Sequence, residues 1–295
     1  MTEPQELVMY VNGRLLPQSQ GMAALQRGDM QAAGGFYDAE RTFNGRVFEL
    51  RLHLERLYRG LEFSQIDPGV SLDEMETLTM ELLEANRPML ASGDEFTITQ
   101  VVSLGQPSSP GEDPSVNVAI YCQPLDFTSF AGNYVRGVRL VTPVTYGVPS
   151  PQSGGKEGGL QAFQLMTGQD GMITECRGAN FMFVRDGRIK LPDRRNVLPG
   201  VSMHTLLELA ESLGLAVDED DYSTYDVYKA DEAFVSSTRY CMLPVASLNG
   251  YRLGSEMPGP VTLRLLGAWR NMVGMDFVRQ ALEHLSLGNE GAPSG

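Results

Sequence analysis

The chain has 295 residues, 42% of them hydrophobic and 20% charged, with a formal net charge of −14. That length holds one large domain or two ordinary ones, and the composition reads as a soluble globular protein. The negative charge argues against nucleic acid or an anionic membrane as a main partner, because neither meets a broad basic surface.

In chain order, Leu7–Val11 reads as a strand with Asn12-Gly13 as its hairpin turn. Phe36–Phe43 and Arg46–Leu50 flank a second Asn-Gly turn at Asn44-Gly45. A helix is predicted from about Leu52, with Leu54, Leu57, Tyr58 and Leu61 on one face. Ser71-Leu-Asp-Glu74 is a capping box that opens a helix through about Ala85. Phe96–Val102 and Val116–Cys122 are β-rich, joined by the Gly/Pro/Ser-rich loop Gly105–Pro114. Gln123–Gly137 has no clear period and is the candidate linker. Val138–Val144 reads as a strand, and Pro149–Gly159 has turn composition throughout. Hairpins are predicted for Gln161–Met166 with Met172–Glu175, and for Asn180–Val184 with Arg188–Lys190. Ser202–Leu213 is a helix stopped by Gly214. Ala233–Ser237 is a short strand, and Val261–Val273 a last amphipathic helix. Hairpins outnumber βαβ units, which gives an α+β class. The expected organisation is an N-terminal α+β domain over 1–122, a linker over 123–137, a C-terminal α+β domain over 138–285 and a disordered tail over 286–295.

Cys122, Cys176 and Cys241 are an odd number without metal-type spacing, so reduced thiols and a cytoplasmic location are expected. The first residues lack the basic and apolar regions of a signal peptide, and no apolar run nears the ~18 residues of a membrane span.

Few residues carry chemistry on their own. Ser202 stands where a strand gives way to a helix, so it is either an N-cap or part of an anion site. Ser236-Ser-Thr238 places three hydroxyls at a strand end, as a polar turn or as phosphate donors. Arg56 falls one position off the leucine stripe of its helix, which suits a solvated Arg paired with Glu55 or Glu62. Glu175 lies between apolar strands, where a carboxylate is costly unless paired. Its partner is either an internal cation such as Arg177 or the protonated ring nitrogen of a ligand. His53, His204 and His284 show no metal or triad spacing and read as surface or capping residues; no metal is expected.

Taken together the segments resemble class IV aminotransferases, the fold-type-IV pyridoxal-phosphate (PLP) family that includes branched-chain and D-amino-acid aminotransferases and aminodeoxychorismate lyase. The resemblance runs from about Met9 to Gln280. It rests on Tyr10-Val-Asn-Gly13, Arg41–Gly45 with His53-Leu-Glu-Arg-Leu57, Ile173–Phe181, Val197–Ser202, Ala230–Thr238 and Gly259-Pro-Val-Thr262. It implies a two-domain, D-amino-acid-aminotransferase-like fold, pyridoxal 5′-phosphate as cofactor, an amino acid and a 2-oxo acid as substrates, and a homodimer. Position by position it implies that Arg56, Val201, Ser202 and Thr238 bind the cofactor phosphate and that Glu175 pairs with the pyridine nitrogen. Arg177 and Arg239 stand where the family more often has small or neutral residues, and are candidates to bind a substrate carboxylate.

One part departs from the family. Lys156 is the lysine in the right neighbourhood for the Schiff base, but only 19 positions separate it from Glu175. The expected hairpin Gln161–Glu175 takes up most of them, leaving no room for the family's helix of ~10 residues or more. Lys156 is therefore either the catalytic lysine on a remodelled loop or a loop lysine of a degenerate member. Such a member would have altered PLP chemistry or none. A lyase of the aminodeoxychorismate kind is a further alternative, since its cofactor site would look the same.

Overall fold

The computed structural model describes residues 6–24, 35–105, 115–143 and 162–290. The chain divides into two compact units, Met1–Leu125 and Asp126–Gly295.

The first unit holds β1 (Val8–Val11), β2 (Arg14–Pro17), α1 (Gln18–Ala24), β3 (Gly35–Phe43), β4 (Arg46–Val47), α2 (Leu50–Phe63), α3 (Leu72–Asn86), β5 (Phe96–Leu104) and β6 (Val116–Pro124). Its antiparallel sheet has the order β2-β1-β6-β5-β3-β4. Asn12 and Asn44 take positive φ in the two Asn-Gly turns, the backbone that these tight hairpins demand. Glu95 secures the second turn, accepting from the N–H groups of Asn44 (2.7 Å) and Gly45 (3.2 Å). Helix α2 begins at Leu50, two residues before the expected start. Leu54, Leu57 and Leu61 of α2 and Met75, Leu82 and Leu83 of α3 are buried in a core with Phe96, Ile98, Val102, Val118 and Ile120. The capping box of α3 forms as expected. Asn86 at the end of α3 clamps β1: Val8 N–H donates to its Oδ1 at 2.7 Å, and its Nδ2 donates to Val8 C=O at 2.8 Å.

The second unit holds α4 (Asn133–Arg136), β7 (Val138–Val141), β8 (Phe163–Thr167), β9 (Ile173–Cys176), β10 (Asn180–Arg185), β11 (Arg188–Pro192), α5 (Val201–Ser212), β12 (Val217–Asp220), α6 (Thr224–Val227), β13 (Glu232–Ser237), β14 (Cys241–Leu248), β15 (Tyr251–Arg252), α7 (Pro260–Val273) and α8 (Phe277–Glu290). Its nine-stranded mixed sheet runs β12-β11-β10-β13-β14-β7-β8-β9, with β15 paired to β14. The pairs β11–β12, β14–β7 and β7–β8 are parallel. Both predicted hairpins form, β8–β9 and β10–β11. The division between the units falls inside the stretch expected as a linker. There Phe127, Phe130 and Tyr134 are buried, and Tyr134 Oη donates to Tyr240 C=O at 2.7 Å.

Helix α8 corrects the expected tail. It runs through Glu290, five residues into the stretch read as disordered, because Phe277 and Ala281 are fully buried against the unit. Glu232 shapes the other late helix: its carboxylate accepts from Val261 N–H (2.8 Å), Thr262 N–H (2.9 Å) and Thr262 Oγ1 (2.8 Å) at the N-terminus of α7, where the helix dipole favours an anion. Among the described residues no helix is long and apolar enough to cross a membrane.

Candidate functional site

In the second unit, β9 delivers Glu175, and a turn through Gly178 at φ +79 returns the chain to Asn180 at the start of β10. Glu175 is half-buried. Its Oε2 accepts from Leu198 N–H at 3.0 Å and from Asn180 Nδ2 at 3.2 Å. Burial holds its carboxyl above the usual range, against the opposing pull of the Leu198 N–H. Arg177 is exposed and forms no ion pair with it among the described residues. The alternative in which Arg177 neutralises Glu175 is therefore not what the structure shows.

The turn after Leu198 leads into α5. Gly200 is the N-cap, so Ser202 is the second helical residue and not the cap. A Cβ at position 200 would lie 2.0 Å from Asn180 Oδ1, so any other residue there must displace the Asn180 amide. The first bond inside the helix is His204 N–H to Gly200 C=O at 2.9 Å. The N–H groups of Val201, Ser202 and Met203 therefore stand outside the ladder, pointing at whatever faces the helix end. Ser202 is itself buried. Ser236 on β13 pairs directly with Asn180 on β10, which puts the two side chains on one face of the sheet. Its hydroxyl is buried without a hydrogen-bond partner among the described residues. Thr238 lies in the turn between β13 and β14, which closes through Met242 N–H to Tyr240 C=O (2.6 Å), with Cys241 at φ +61. Arg239, in the same turn, is exposed and donates from Nη2 to Ser129 Oγ at 3.0 Å.

In the first unit, the acid that grips Arg56 is Asp38, rather than either expected glutamate of its own helix. Arg56 Nε donates to Oδ2 at 2.8 Å and Nη2 to Oδ1 at 2.6 Å. His53 is no surface residue. It is 1% exposed, with Nδ1 2.8 Å from Asp38 Oδ1. Burial pushes the Asp38 carboxyl up, but the bonds from His53 and Arg56 outweigh it and hold the group below its ordinary value. Asp38 was missed by sequence reasoning, because its partners His53 and Arg56 lie on a different element, 15 and 18 positions away. His284 is likewise no free surface group; its ring stacks on Phe127 at 4.4 Å. His204 is exposed beside Glu208. Lys156 lies outside the described residues, in the stretch between β7 and β8.

The model of the family described as amino-transferase class IV matches residues 35–157 and 156–248. The chain belongs to that family. Class IV aminotransferases are PLP-dependent enzymes. Curated relatives include D-alanine aminotransferase of Bacillus licheniformis, 26% identical over 277 residues, covering 89% of this chain and 95% of the relative. The branched-chain-amino-acid aminotransferase of Escherichia coli K12 is 27% identical over 248 residues, 76% of this chain and 77% of the relative. Among solved structures, the E. coli branched-chain enzyme superposes with a TM-score of 0.78 at 22% identity, covering 91% of this chain and 95% of that one. The branched-chain enzyme of Thermobaculum terrenum in its PLP form gives 0.76 at 20% identity, covering 93% and 96%. At these identities the superpositions establish the α+β fold-type-IV fold.

The residues present fit the family cofactor. Glu175 is a carboxylate without a cation among the described residues, as a protonated ring nitrogen requires. Among the described residues the Ser236 hydroxyl is an unused buried donor and the N–H groups at the start of α5 have no partner, behind a glycine cradle, as a phosphate requires.

Proposed function

We propose that this chain is a PLP-dependent aminotransferase that moves an amino group between an amino acid and a 2-oxo acid. The observation that carries the reading is Glu175, desolvated and fixed by two neutral donors, with no cation beside it among the described residues. A carboxylate so placed stabilises a positive charge brought by a ligand far more than it stabilises the empty protein. Glu175 would keep a proton on the ring nitrogen. Val201, Ser202 and Thr238 would bind the phosphate through N–H and hydroxyl donors, with Arg56 as its guanidinium. Lys156 Nζ would carry the proton at the substrate α-carbon, a role open to a desolvated amine. Arg177 and Arg239 would orient the substrate carboxylate. When bound, PLP supplies the electron sink that makes that α-proton acidic. A cytoplasmic homodimer belongs to the same proposal, supported by three buried, unbridged cysteines and by the family resemblance.

A second reading is favoured by one observation. The family model matches in two pieces that meet at residues 156–157, and the 19 positions from Lys156 to Glu175 are the stretch expected from the sequence to lack room for the family's helix. A degenerate member that binds PLP without a covalent link, or a lyase, would share the same ring and phosphate residues. The deciding experiment is an absorption spectrum with added PLP, then borohydride reduction and peptide mapping. A visible band fixed onto Lys156, with transfer from an amino acid to 2-oxoglutarate, supports the aminotransferase. A fixed band without transfer favours the lyase. No band, or label scattered over Lys190 and Lys229, overturns both in favour of the degenerate member.

A further inference from the structure

Asn180 is 4% exposed, and one nitrogen of its side chain reaches two partners. Nδ2 donates to Glu175 Oε2 at 3.2 Å and to Leu198 C=O at 2.9 Å. Leu198 N–H donates to the same Oε2 at 3.0 Å. Three bonds thus join an acid, an amide and a stretch of backbone into a closed ring. Leu198 C=O also accepts from Gly200 N–H at 2.7 Å. The Leu198 side chain is 54% exposed, so its main chain, not its side chain, holds the turn in place. Asn180 Oδ1 then packs against Gly200 so closely that no Cβ fits between them. Helix α5 starts at the next residue.

These contacts fix two distances at once. They hold Glu175 Oε2 with two donors, which leaves Oε1 as the oxygen for a ligand. They also set where the helix N-terminus lies relative to that oxygen. The amide is the only side chain in the ring with two N–H donors on one atom, so neither a hydroxyl nor a carboxylate can replace it.

We propose that Asn180 is a positioning residue that sets the span between Glu175 and the N-terminus of α5, so that one ligand bearing both a cationic ring nitrogen and a phosphate binds much more tightly than either fragment. The inference rests on the cofactor reading above and adds to it. A rigid two-point site converts the second contact into an intramolecular one, and a loosened span forfeits that advantage while leaving each single contact nearly intact.

The test uses three ligands that do not depend on Lys156: pyridoxine 5′-phosphate, pyridoxine and inorganic phosphate, each titrated by calorimetry or NMR. Asn180→Ala should weaken the phosphate ester roughly tenfold or more, while pyridoxine and inorganic phosphate change by less than about threefold. Asn180→Ser, which fits the same space, is the second variant and should behave alike if the alanine variant does not fold. Equal weakening of all three ligands would show that Asn180 merely supports the fold, and an unchanged preference for the ester would show that it sets no span. Either overturns the inference. If wild type prefers the ester but Glu175→Gln and Ser202→Ala leave that preference intact, or if wild type shows no preference, the cofactor reading itself fails, and the inference with it.

Discussion

Asp38 and Glu40 stand two residues apart on the helix-covered face of β3, both buried, and are driven in opposite directions. Asp38 meets the guanidinium of Arg56 and the ring of His53. Glu40 accepts from the Gln100 amide at 2.5 Å, and its Oε2 has no partner among the described residues. Burial, with the charge of Asp38 adding to it, pushes the Glu40 carboxyl up to about 8 from an ordinary value of 4.5.

The sign follows from proton linkage. Between pH 4.5 and about 8 the unfolded chain has released the Glu40 proton and the folded chain keeps it. Stability therefore falls as pH rises through that window. Glu40→Gln should remove the dependence. Its melting temperature relative to wild type should climb from pH 5 to pH 8, by an amount worth on the order of a few kcal/mol. A difference that does not vary with pH would mean Glu40 is ionised in the fold.

Asp38 predicts the reverse, at the acid end. Its depressed carboxyl contributes stability that is present above 3.8 and lost as pH falls toward the folded value. Asp38→Ala leaves Arg56 and His53 without their shared acceptor, which should cost about 3–5 kcal/mol in urea unfolding. In a double-mutant cycle with Arg56→Ala, the two losses should fall short of additive by ~1 kcal/mol or more. Additive losses would mean that the grip contributes nothing.

Gly259 faces Glu232 so closely that a Cβ would lie 2.2 Å from the carboxyl carbon. Gly259→Ala must displace that carboxylate from the start of α7 and should cost roughly 2 kcal/mol or more, the loss of several charge-assisted bonds. In a Glu232→Ala background the same change should cost much less. Thermal melts of the four proteins decide it.

Arg239 is proposed to bind a substrate carboxylate, and its bond to Ser129 already restrains the guanidinium. Arg239→Gln should lower kcat/KM for an acidic amino donor roughly tenfold or more and for a neutral donor far less. Equal losses with both donors would rule out the clamp.

Much of the fold is legible where local chemistry decides it. The Asn-Gly turns, the Ser71 capping box and the paired hairpins each follow from a few adjacent residues. Helix α8 is harder to see, although Val278, Ala281, Leu282 and Leu285 have helical spacing, because the glycine-rich stretch beyond them dominates the composition. The proposed site divides in the same way. Glu175, Ser202 and Thr238 lie in compact motifs. Asp38 does not: its partner Arg56 is 18 positions away on another element, and no local pattern announces the pairing. Ser202 reads as a cap because a serine at a helix start usually is one. The steric fit of Gly200 against Asn180, which is long-range, moves the cap back two positions.

The strand order of the first unit has a consequence for biosynthesis. β1 pairs with its neighbour β2 on one side and with β6, more than a hundred residues later, on the other. As the chain leaves the ribosome at ~5–20 residues per second, the first hairpin waits on the order of ten seconds for its second partner. During that wait one edge of β1 is a bare row of amides and carbonyls, open to any other nascent strand. Asn86, emerging before β6, can clasp Val8 in the meantime and shield part of that edge.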